Sequence, residues 1–354
     1  MPSTGGTDAG PRRASARARD WTRLSDEQLL QLRLCDLRLD LTRSPLQRHV
    51  EQLYEELDER GIRFRPHVWL SNDWFSPDGV PGIAVPFYLA HPRLRRLARK
   101  MTREIEGSNA NWLQRILRHE AGHAIDSAFR LRRRAHWRAL FGPASTPYRS
   151  RYRARPGSRR FVQHLGDWYA QSHPTEDFAE TFAVWLTPRS GWQRRYASWP
   201  ALRKLRFVQR LAPEFGSHRP PVRCRTRIEP LHTQQRTLEE YFRSKRSRAS
   251  PTQLQRNLVD RGLLRIFRRS PSGRARSAAA LLRAHKKRLL AATVSATGAE
   301  RYLVHQIMRS LIARSEDLTL YVRGRQRDAL VQTRRLLRRL VHRYRRSAGL
   351  RLRA

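Results

Sequence analysis

Residues 108–131, SNANWLQRILRHEAGHAIDSAFRL, restrict what this chain can fold into more than any other stretch. Trp112, Leu113, Ile116, Leu117, Ala121, Ala124, Ile125, Ala128 and Phe129 recur at helical spacing. Ser108 is a candidate N-cap, and Asn111, Arg115 and Arg118 leave only a narrow polar stripe. A helix this apolar belongs in an interior, yet it carries His119, Glu120 and His123. Residues four apart project from one face, so His119 and His123 can offer two imidazoles to one ion, with Glu120 one step round the helix. Zinc hydrolases hold their metal with this geometry. Two buried, hydrogen-bonded histidines are the plainer alternative, but it buries acidic groups without a cation, which is costly.

Zinc takes about four ligands at roughly 2 Å, and a catalytic site leaves one position for water, so a third protein ligand is needed. The pattern HExxHxxGxxH, which supplies it six residues on, is excluded, because Asp126 and Phe129 stand at its glycine and last histidine. The better source is residues 173–186, HPTEDFAETFAVWL, where Pro174 and Thr175 lead into a second helix. Glu176 and Glu180 are again four apart; Phe178, Phe182 and Trp185 form an apolar stripe, and Ala179 and Ala183 on the carboxylate side allow close approach to the first helix. Glu176 is then the ligand, and Glu180 orients a histidine from behind.

An HExxH helix followed by a helix bearing a ligand glutamate resembles the gluzincin pattern, and ExFAE with Tyr169 seven residues before its first glutamate looks like the lethal-factor-like branch. WLSNDWFSPDGVPGIAVPFYLAHPRL, HEAGHAID and WYAQSHPTEDFAETFAVWLTP together resemble bacterial proteins described as zinc-binding metallopeptidases, over residues 24–212. The resemblance implies a zincin-like fold and peptide or protein substrates. It makes His119, His123 and Glu176 the Zn2+ ligands, Glu120 the general base and Tyr169 an oxyanion or leaving-group partner. Glu180 stands where thermolysin-like relatives carry aspartate.

Length and charge extend the reading. A chain of 354 residues, 39% hydrophobic with 9 Trp, can bury a sizeable core and a smaller second one. Cys35 and Cys224 make no disulfide framework, the N-terminus lacks the apolar core of a signal peptide, and GIAVPFYLA is too short to span a bilayer. These features predict a cytoplasmic protein with no membrane partner. The net charge is +43, with 68 of the 73 basic residues arginine, a skew that codon bias also produces.

In chain order, residues 1–22 read as a disordered basic tail, 23–212 as the zincin-like metallopeptidase domain, 213–232 as a linker, and 233–354 as an Arg-rich helical domain. The fold class expected is α+β: a small sheet with the two metal helices, followed by a mostly helical basic part. Helices are expected from Ser25 and from Ser44, and strands over 63–70 and 82–89; residues 82–88 are a candidate edge strand for pairing with an extended substrate. Residues 142–159 form a basic, turn-rich stretch expected to rim the cleft. His164 and His173 flank the third ligand, while Asp126, Asp167 and Asp177 are weaker ligand candidates.

Residues 215–354 hold 35 basic and 8 acidic residues, a net +27, on segments of helical spacing. This predicts a small bundle with Arg-rich outer faces and opens a rival reading: a peptidase-like scaffold that binds nucleic acid or another polyanion. If catalysis resides wholly in the first part, cleavage is expected to survive deletion of 215–354.

Overall fold

Two large apolar cores divide the chain, beside a small cluster of Trp69, Val80 and Ala84, and their boundary is not where composition places it. The structure, a computed structural model, describes residues 20–349 apart from 103–104, 149–153, 156–157, 167, 248–250, 272–274 and 300. The tail up to residue 19 and Asp167 therefore lie outside the described residues. Trp21, read as part of the tail, donates its indole N–H to the Leu37 carbonyl (3.0 Å) and packs against the first core.

The first core begins with α1 (Asp26–Leu30), where Ser25 and Gln28 form a reciprocal capping box. Helix α2 (Leu46–Asp58) buries Leu46, Val50, Leu53 and Leu57. Strands β1 (His67–Ser71) and β2 (Gly82–Pro86) pair in parallel with His67 opposite Gly82, and a 3-10 turn (Phe87–Ala90) replaces the last residues of the expected second strand. Then come α3 (Pro92–Thr102), α4 (Ala110–Phe129), α5 (Ala135–Phe141), α6 (Pro174–Leu186), α7 (Trp192–Arg195) and α8 (Leu202–Ser217). Asn109 rather than Ser108 caps α4, accepting from the Trp112 N–H, while the Ser108 hydroxyl turns to the Asp317 carbonyl.

The candidate edge strand is not open to a substrate. All five residues of β2 are buried, and in the parallel register Ala84 points its backbone groups away from β1, where Phe75 exchanges both hydrogen bonds with it (2.8 and 3.4 Å).

The first core does not stop at residue 212. Helix α8 continues past Pro213 to Ser217, and Leu231, Leu238, Tyr241 and Phe242, the last three on or beside α9 (Leu238–Ser247), are buried in the same cluster. Backbone bonds from Leu34 to Arg236 and from Leu238 to Leu32 tie this segment to the start of the chain. Both ends of the stretch read as a linker therefore join the first core, and deleting 215–354 would strip Phe215, Leu231, Leu238, Tyr241 and Phe242 from it.

The second core is a bundle of α10 (Pro251–Ile266), α11 (Ala278–Ala284), α12 (Lys286–Thr297), α13 (Arg301–Asp317) and α14 (Gln326–Gly349). A short antiparallel pair, β3 (Phe267–Arg268) and β4 (Tyr321–Val322), closes it. The mixture of many helices with small sheets is α+β. The bundle meets the first part at the start of α4: Asn109 donates to the Glu316 and Asp317 carbonyls, Arg115 pairs with Asp317 (3.3 Å), and the Arg314 guanidinium lies 4.7 Å over Trp112.

Candidate metal centre

Helices α4 and α6 are the most extensively packed pair in the molecule. Small residues set their separation: a Cβ on Gly122 would lie 2.8 Å from the Ala179 Cα, so glycine between the two histidines lets the second backbone close in. The expected role of Ala179 as a close-approach residue is visible here.

That approach brings together four of the side chains singled out from the sequence. The His119 and His123 Nε2 atoms are 3.2 Å apart, and the Glu176 Oε2 lies 3.0 Å from the first and 3.2 Å from the second. Ligands at about 2 Å from one ion in tetrahedral array stand about 3.3 Å apart, so the three donor atoms have the mutual spacing a zinc ion requires. Behind His119, its Nδ1 meets Glu180 Oε1 at 3.1 Å, and the other face of that carboxylate accepts from the backbone N–H groups of His164 (3.2 Å) and Leu165 (2.9 Å). A carboxylate held by three neighbours fixes the ring and makes Nδ1 the protonated nitrogen, leaving Nε2 free to donate its lone pair.

The electrostatics point the same way. Burial opposes a charge on His119, but Glu176 and Glu180 outweigh it and raise its pKa to about 10, so without a cation the cluster draws a proton onto the imidazole. Burial also works against ionised Glu176, and His123 and His119 overcome it and hold the carboxyl well below its usual range. Two carboxylates facing a buried imidazole are an environment that a divalent cation completes. Glu120 is buried beside them; burial raises its pKa, making it a stronger base than a solvated carboxylate, although the histidines pull the other way.

Other candidates have structural roles. Asp126 is bonded by the backbone and side chain of Arg132, closing the end of α4. Asp177 pairs with Lys204, pointing away from Glu176 as its helical position requires. The buried His164 ring bonds to the Arg115 carbonyl (2.8 Å), and the His173 side chain caps α6 while its Nε2 donates to the Thr146 carbonyl (2.6 Å). Tyr169 sits with its ring 5.6 Å from that of His119.

Sequence reasoning missed Tyr148. It lies in the described part of the basic stretch, stacks on His173 at 3.8 Å, and directs its hydroxyl to Thr175 Oγ1 (2.6 Å) and Glu176 Oε1 (2.9 Å). Although the residue is 63% exposed, desolvation of the hydroxyl and the Glu176 charge raise its pKa, so it is a neutral donor. A loop side chain has no periodicity to mark it, and only the three-dimensional path of residues 142–148 brings it to the ligand carboxylate.

Residues 98–196 match the family model described as "Putative zinc-binding metallo-peptidase". The matched segment contains α4, α6, Tyr148, Tyr169 and the three residues whose donor atoms could hold a metal ion. No curated protein and no solved structure matches the chain. Among the described residues no helix is long and apolar enough to cross a membrane.

Proposed function

We propose that the protein is a zinc-dependent peptidase of the gluzincin type, with a zincin-like catalytic part and peptide or protein substrates. His119, His123 and Glu176 hold the ion, and Glu180 orients His119. The convergence of three donor atoms from α4 and α6 within 3.2 Å of one another carries this reading. A zinc ion held there supplies Lewis acidity, lowering the pKa of water toward neutrality and polarising a carbonyl oxygen.

The protein's own groups do the rest. Glu120, buried and with its basicity raised, takes the proton from the attacking water and passes it to the leaving amine. A neutral hydroxyl near the third ligand donates to the carbonyl oxygen as negative charge develops on it. Two tyrosines compete for that role: Tyr169 beside His119 and Tyr148 on Glu176. The Tyr148 hydroxyl lies 2.9 Å from the Glu176 carboxylate, which places it beside the proposed ion. Arg118, one residue before His119, is bound bidentately by Glu56 and keeps α4 in register with α2.

Zinc content and hydrolysis of a casein-derived peptide pool, measured on the same samples, test the assignment. Glu120→Gln is expected to keep one zinc per chain and to lose a factor of about 10²–10⁴ in rate. Glu176→Ala is expected to lose zinc. Full zinc in Glu176→Ala, or unchanged cleavage in Glu120→Gln, overturns the ligand set or the base. Tyr148→Phe and Tyr169→Phe separate the two hydroxyls: the true donor lowers kcat while zinc content holds.

A further inference from the structure

The catalytic reading leaves one large feature unused, the outward half of α14. Ala329, Thr333, Leu336, Leu337, Leu340 and Val341 are buried, so the apolar side of this helix is committed to the second core. The other side exposes Arg327, Arg334, Arg335, Arg338 and Arg339. Offsets of seven and four residues put Arg327, Arg334 and Arg338 in one row, with Arg335 and Arg339 beside them. Asp328 is the single carboxylate of the helix, and among the described residues none of the five guanidinium groups has a hydrogen bond or ion pair within the protein.

We propose that this face docks on the phosphate backbone of double-stranded nucleic acid without regard to base sequence. The thirteen helical residues from Arg327 to Arg339, twelve rises of about 1.5 Å, span about 18 Å. A duplex carries one charge per roughly 1.7 Å of axis, so that span faces about ten phosphate charges. Each guanidinium presents paired N–H groups that match phosphate oxygens. An amphipathic helix lying on a membrane inserts its apolar side, which here is already buried. Val331 is the one large apolar residue exposed on the described part of the face, so that part offers no aromatic platform to stack single-stranded bases.

The experiment uses the full chain and measures binding to a 20-base-pair DNA duplex of mixed sequence across a salt series. Arg334→Gln/Arg335→Gln/Arg338→Gln is expected to lower the slope of log K against log salt by about 2.7 and to weaken binding roughly a hundredfold at 0.15 M. The control is Arg203→Gln/Arg206→Gln/Arg210→Gln on α8, which removes the same charge from another exposed face and is expected to change binding severalfold at most. Calorimetry confirms that both variants fold. No duplex binding by the unaltered chain, an equal loss in the α8 control, or tighter arginine-dependent binding to phosphatidylserine vesicles or single-stranded DNA overturns the proposal.

Discussion

The buried candidate metal centre and the outward face of α14 treat charge in opposite ways. Around the candidate metal centre the buried ionic side chains described are paired, Arg118 with Glu56, Asp126 with Arg132, Asp177 with Lys204, and Glu180 with His119 and two backbone N–H groups, and the exception is Glu120, the proposed base. On α14 five arginines face outward with no partner among the described residues. Arg314, an arginine deeply buried in the bundle, follows the rule of the first core instead: Asp260 grips it with two bonds of 2.7 Å. Burial, rather than position in the chain, decides whether a charge is built into the scaffold or left for an external ion. A paired charge holds geometry, which a metal centre needs; an unpaired solvated one costs little until an anion arrives.

The largest effects should follow from breaking the buried pairs. Glu56→Gln leaves Arg118 buried against a neutral amide, and loss of a buried partner costs about 3–5 kcal/mol. Asp260→Asn should cost a similar amount, although it lies in the basic half and far from the histidines in sequence. Chemical denaturation checks both. If Asp260→Asn is as mild as an exposed substitution, the comparison fails at its central point. Glu180→Ala comes next: His119 loses the carboxylate that fixes its tautomer, and zinc affinity should fall about 10–100-fold in a competition titration, with the fold retained.

Gly122→Ala probes the packing that makes the site. Its Cβ would press on the Ala179 backbone, which cannot yield as a flexible side chain would, so α4 and α6 must separate. A stability loss of about 1–3 kcal/mol is expected, together with weaker zinc retention, because the histidines and Glu176 sit on opposite sides of the contact. Retention of zinc at full stability would show that the helices have slack and that glycine here is incidental.

These residues also show what a sequence can reveal. The convergence of the candidate residues was legible because helical periodicity fixes which side chains share a face, and His119, His123, Glu176 and Glu180 all lie on helices whose apolar stripes determine how they pack. The small helical bundle expected for the basic part was legible for the same reason, and it appears as α10 to α14. What periodicity does not encode was missed. Tyr148 depends on the path of a loop, and the burial of β2 depends on Phe75, seven residues before the strand. The composition change at Pro213 suggested a linker, but composition does not reveal that Tyr241 sends its hydroxyl back to the Asn72 carbonyl (2.7 Å). Long-range contacts of that kind set domain limits, and no local window contains them.

The smallest expected effect is the sharpest test of the contrast. Arg334→Gln/Arg335→Gln/Arg338→Gln removes three charges from a helix whose other face is packed into the second core. Exposed substitutions without a partner usually change stability by no more than about 0.5 kcal/mol. In this case removing like charges that repel one another on one face pushes toward stabilisation. The melting temperature should therefore hold or rise slightly, and the gain should shrink as salt screens the repulsion. A marked fall in melting temperature would mean that these arginines are bound within the fold as Arg118 and Arg314 are. The two regions would then handle charge alike, and the outward face of α14 would belong to the scaffold.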